Sequence, residues 1–100
     1  VFYWQRFSAS WGFGLDARIK RLKFRAWHRG TKESDLLLGR FADRHLEALD
    51  AAQLDRFEAL LEEADPDLVD WMTGRLPVPA DLNHDVMELL LAFTKRGGAA

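Results

Sequence analysis

Without a single cysteine in the chain, thiol nucleophiles, disulfides and zinc–thiolate sites are excluded together, and a reducing compartment is a natural fit. Chemistry then falls to histidines, hydroxyls and carboxylates. None of His28, His45 and His84 sits in an HExxH-like metal frame. His45 lies on the apolar face of a helical pattern, where a core or boundary histidine satisfied by a neighbour is expected rather than a ligand or base. Ser8, Ser10 and Ser34 lack the glycine context of a nucleophile elbow. The run DPDLVD gathers Asp65, Asp67 and Asp70, but the alternating ligands, central glycine and late glutamate of a calcium loop are missing. Helix capping explains it better, with Asp65 as N-cap and Asp67 favouring the positive helix start. Gly12 and Gly14 form no phosphate-binding fingerprint. A catalytic site, a metal site and a tightly held cofactor are therefore not expected.

The elements that carry these residues are helical. One hundred residues make one domain. No apolar run approaches the roughly 20 residues of a membrane-spanning helix. The net charge of −2 hides a split. Residues 17–32 hold Arg18, Lys20, Arg21, Lys23, Arg25, Arg29 and Lys32 with no acid, and residues 33–94 hold fifteen acids against four arginines. The cationic segment, with Phe24 and Trp27 among its charges, has two readings. It binds nucleic acid phosphates, or it lies along the acidic body of its own domain or in solvent. The low pI of about 5.9 and the lack of a second, recognition-like basic helix favour the latter.

Residues 1–14 hold six of the twelve aromatics with no clear period, and are expected to be a disordered or non-native tail. From Leu15 the spacing is that of helices. The first has Asp16 as N-cap, the stripe Leu15, Ile19, Leu22 and Ala26, and Gly30 as its stop. Thr31 or Ser34 caps a second, with Leu37, Leu38, Phe41, His45 and Leu49 facing inward and Leu36 and Leu46 flanking. Gly39 inside it costs up to about 1 kcal/mol against alanine unless something packs closely there. Asp50 caps a third, whose core face is Leu54, Phe57, Leu60, Leu61 and Ala64. Pro66 opens a short fourth, and Gly74 stops it. After the proline loop RLPVPAD, a fifth runs from about Asp81 to Arg96 on Leu82, Val86, Leu89, Leu90 and Phe93. The expected fold is all-α, a small compact bundle of four to five short helices, with the domain at 15–96 and a frayed tail at 97–100.

One turn, RGTKE at 29–33, has two explanations. As cap chemistry, Gly30 ends a helix, Arg29 suits its negative C-terminus and Glu33 suits the next N-terminus. As a presented edge, the same residues face a partner.

RGTKESDLLLGRFADRHL, a further helix, DPDLVDW, a proline loop and VMELLLAFTKR, in that order, resemble the SdhE family, the FAD assembly factors of succinate dehydrogenase (assembly factor 2 in mitochondria). The likeness spans about residues 15–96, and RGxxE is the family signature. His28 stands where many relatives have a second basic residue, and Ser34 where an apolar residue is usual. The resemblance implies a helical, non-enzymatic protein that binds the flavoprotein subunit of succinate dehydrogenase, or of fumarate reductase. It would promote covalent attachment of FAD to a histidine of that subunit. FAD is then carried by the partner, and Arg29, Gly30, Glu33 and, more weakly, Asp35 form the partner-binding edge. A monomer is expected, without nucleic acid or membrane insertion, in the bacterial cytoplasm or the mitochondrial matrix. The competing function is an antitoxin-like or regulatory adaptor.

Overall fold

The computed structural model describes residues 14–97. The assignments made to 1–13 and 98–100 lie outside them. Among the described residues there are five α-helices and no strand: α1 (Gly14–Trp27), α2 (Lys32–His45), α3 (Ala51–Leu61), α4 (Asp65–Met72) and α5 (Asp85–Lys95). Single 3₁₀ turns at Leu46–Ala48 and Ala80–Leu82 join α2 to α3 and precede α5. The all-α bundle expected from the sequence is the observed architecture.

The core centres on Phe41, Phe57 and Phe93, each at most 1% exposed. The Phe41 ring stacks on Phe57 at 5.6 Å and meets the edge of Phe93 at 5.7 Å, both favourable aromatic geometries. Leu22, Leu38, Leu46, Leu54, Leu60, Leu68, Val86, Met87 and Leu90 close around them. α1 packs chiefly on α2 and also on α3, while α5 packs on α2, α3 and α4.

Caps fix the helix boundaries. Asp50 accepts from the Gln53 backbone N–H at 2.8 Å, and the Gln53 side chain accepts from the Asp50 N–H at 3.0 Å, a reciprocal capping box. Three boundaries differ from expectation. α1 already begins at Gly14, which leaves Asp16 within its first turn. Ala64, not Asp65, is the N-cap of α4, because the Asp65 carboxylate is turned to a cation instead. α5 starts at Asp85, later than Asp81, because His84 takes extended geometry and caps it by accepting from the Met87 N–H at 3.1 Å. Core membership shifts with them. Ala64, at the extended cap, is exposed, and so is Leu15, whereas Ala17 and Met87 are buried.

His45 also departs from expectation. Its ring stacks on Phe41 at 4.7 Å and stands edge-on to Phe93 at 5.6 Å. Among the described residues its buried Nε2 has no hydrogen-bond partner, so this boundary histidine is not satisfied by a neighbour there. Burial, then the positive charges of Arg44 and Arg96, hold its pKa below the usual histidine value.

Candidate functional site

Arg29 lies just after α1, and its side chain turns inward, only 10% exposed. Nε donates to Asp65 Oδ1 at 2.7 Å, at the start of α4. Nη2 donates to the Glu63 carbonyl at 2.5 Å, and Nη1 donates to the Leu61 carbonyl. Leu61 is the last residue of α3, whose final oxygens have no helical donor, and Glu63 lies just beyond its C-cap Glu62. One guanidinium thus caps α3, pairs with α4 and ties both to the end of α1.

Asp35 secures the turn from the other side. Its Oδ1 accepts from the Arg29 N–H at 2.6 Å and from the Gly30 N–H at 3.3 Å. Between them Gly30 adopts φ +120°, which L side chains rarely take. A Cβ there would be 3.9 Å from Asp65 Oδ2, so conformation rather than lack of room demands glycine. Thr31 is the N-cap of α2, and its Oγ1 accepts from the Ser34 N–H at 3.3 Å. Ser34 is fully buried, with its hydroxyl 2.6 Å from Thr31 Oγ1. That local bond explains how a polar residue occupies this interior position.

Lys32 and Glu33 behave differently. Both side chains are exposed, and neither has a partner among the described residues. The four residues of the implied edge therefore separate. Arg29 and Asp35 are held within the domain, Gly30 shapes the turn, and Glu33 projects from it. A shallow groove of about 300 Å³ beside Glu33 is lined by Asp65, Pro66, Val69, Asp70 and Arg75. A second, of about 590 Å³, lies across the turn between Trp27, His28, Lys32 and Leu36.

A support for the turn escaped the sequence reading. A Cβ on Gly39 would stand 2.2 Å from the Trp27 indole, which fills that notch. Trp27 Nε1 donates to Asp43 Oδ2 at 3.2 Å, one turn further along α2. The costly mid-helix glycine was the available signal, and Trp27 is what packs there.

The cationic face of α1 is largely engaged by the domain's own acids. Arg18 reaches Asp55 at 2.6 Å and Glu58 at 2.8 Å, which raises its pKa. Arg25 reaches Glu62 at 2.5 Å and Glu58 at 3.4 Å, and Lys23 reaches Glu47 at 2.6 Å. Lys23 holds the Glu47 carboxyl below its usual range. The DPDLVD acids are likewise occupied or dispersed. Asp65 pairs with Arg29 and Asp70 with Arg75 at 3.3 Å. Among the described residues no group of three or more ligand-type side chains could hold a metal ion.

The family model described as "Flavinator of succinate dehydrogenase", Sdh5, matches residues 20–94. The chain belongs to this family. The match takes in α2, α3 and α4 whole, most of α1 and α5, and the RGTKE turn. An FAD assembly factor SdhE from Acetobacter pasteurianus is 49% identical over 86 residues, covering 84% of this chain and 79% of that protein. A mitochondrial succinate dehydrogenase assembly factor 2 from Mycosarcoma maydis is 45% identical over 69% of this chain, and one from Dictyostelium discoideum 35% over 71%. The chain spans only 29% and 50% of the lengths of those two family members. Among the described residues no helix is long and apolar enough to cross a membrane.

Proposed function

We propose that this chain is an assembly factor that binds the flavoprotein subunit of succinate dehydrogenase, or of fumarate reductase, and promotes covalent attachment of FAD to it. The single observation that carries this reading is the family match over residues 20–94. The names of the relatives, FAD assembly factor and succinate dehydrogenase assembly factor, support it. The chain acts by binding and not as an enzyme. It works in the compartment of its partner, the bacterial cytoplasm or the mitochondrial matrix.

The turn geometry suggests how. Attachment needs FAD and its acceptor histidine held together in one arrangement, and positioning alone is worth several kcal/mol or more of barrier. A helper that binds only the competent arrangement of the flavoprotein shifts the population towards it. Glu33, projecting and unpaired, is the contact we assign to the partner, with Gly30 presenting backbone beside it. Arg29 and Asp35 serve that edge by holding its shape. FAD itself stays on the partner. The groove beside Glu33 is lined by the carboxylates of Asp65 and Asp70, the wrong sign for a pyrophosphate.

Co-expression with the flavoprotein subunit, followed by flavin fluorescence in a denaturing gel, tests this. Covalent fluorescence should rise well above that of the subunit alone, and no rise would overturn the proposal.

A further inference from the structure

We infer that the docking surface does not stop at the RGTKE turn but runs from Lys32 at the start of α2 through His28 and along the outer face of α1 at Phe24 and Arg21, and that this stripe receives an acidic segment of the flavoprotein subunit carrying an apolar side chain. The inference rests on the function proposed above and adds a surface and its chemistry.

Three observations converge on it. Phe24 is 63% exposed in a basic helix, the most exposed large apolar side chain among the described residues. It is not isolated. Its ring stacks on His28 at 4.0 Å with 22° between planes, and His28 Nδ1 donates to the Phe24 carbonyl at 2.6 Å. That bond fixes the hydrogen on Nδ1 and leaves Nε2 for another group. An exposed aromatic stacked on a polar neighbour has the character of an interface anchor.

The stripe also runs directly into the turn. Arg21, Phe24 and His28 lie at helical spacing on one exposed face. His28 then lines the groove of about 590 Å³ with Trp27, Lys32 and Leu36, beside Gly30.

Finally, the charge that remains here is selective. Arg18, Lys23, Arg25 and Arg29 are spent on acids of this domain, while Arg21 and Lys32 have no partner among the described residues. Two open cations flanking an aromatic are too few to track a nucleic acid backbone, where affinity accumulates over many phosphates. They complement a short acidic patch, and the exposed aromatic needs an apolar side chain opposite.

The test measures the affinity of the full chain for the apo flavoprotein subunit at low and high salt. The variants are Phe24→Ser, Lys32→Glu and Arg21→Glu, with Leu76→Ser, an exposed apolar position on the loop after α4, as control. Each of the four side chains is exposed, so melting temperatures should stay near wild type. We expect Phe24→Ser to weaken binding at least tenfold. Each charge reversal should weaken it severalfold and flatten its salt dependence, and Leu76→Ser should change it less than twofold. Wild-type binding with all three stripe variants within twofold would overturn this inference and leave the proposed function standing. No wild-type binding would overturn both. Salt-sensitive binding to a single-stranded oligonucleotide that the stripe variants abolish, while flavoprotein affinity is unchanged, would overturn the inference in favour of nucleic acid.

Discussion

Arg29 and Glu33 lie four residues apart in one motif, yet the structure gives them opposite surroundings. Arg29 satisfies the carbonyls of Leu61, the last residue of α3, and of Glu63 just beyond it, and pairs with Asp65. Removing it leaves a largely buried carboxylate and two acceptors without a donor. Arg29→Ala should therefore cost about 3 kcal/mol of unfolding free energy, read by urea denaturation. Glu33→Ala removes an exposed, unpaired side chain and should cost about 0.5 kcal/mol, its favourable interaction with the α2 N-terminus. A loss of function in Arg29→Ala thus mixes folding with contact, whereas a loss in Glu33→Ala reports contact. Gly39 is constrained as tightly as any motif residue. Gly39→Ala places a methyl inside the Trp27 indole. Despite alanine's better helix propensity, it should destabilise by about 1–3 kcal/mol and raise the Trp27 fluorescence response to quenchers as the ring is displaced.

At the scale of elements, short-range codes were legible and long-range partners were not. The capping box was half visible, since Asp50 was identified as N-cap while the reciprocal bond from Gln53 was not. Asp50→Ala should cost about 1 kcal/mol, measurable as a lower midpoint in urea with an unchanged m-value. Asp65 shows the limit. Its place before a proline looks like an N-cap, but Arg29, thirty-six residues away in sequence, claims the carboxylate, and Ala64 takes the cap by default. His84 was passed over because a histidine cap has no strong sequence signal, and α5 consequently begins four residues later than the apolar period suggested. The resemblance alone singles out this turn as a proposed edge. Spacing alone could not tell that Asp35 fastens the turn by accepting from two backbone donors.

At the scale of the whole molecule, the charge split seen in the sequence becomes a seam. Cations of α1 meet acids of α3 at Arg18 and Arg25. Arg56 on α3 grips Asp85 at the start of α5 with bonds of 2.8 and 3.1 Å. Hydrogen bonds from Gln53 and then Arg56 bring the Asp85 pKa down to about 2. This group is more acidic folded than unfolded, so its stabilisation is complete above the ordinary carboxylate range and is lost as pH falls from about 3.8 towards about 2. His45 acts in a higher window. It is kept neutral in the fold, so the unfolded chain takes up the proton first, and stability declines as pH drops below about 6.5. Melting temperature should fall between pH 7 and pH 5.5, before most carboxylates titrate, and His45→Leu should flatten that step. Asp85→Asn should flatten the decline near pH 3.

The separation of a shape-holding Arg29 from a contacting Glu33 is the central claim. It is tested most directly by the yield of covalent flavin on the flavoprotein subunit co-expressed with Glu33→Ala, at a folded level matched to wild type. The account predicts a yield close to that of the subunit alone. A wild-type yield from Glu33→Ala would contradict it.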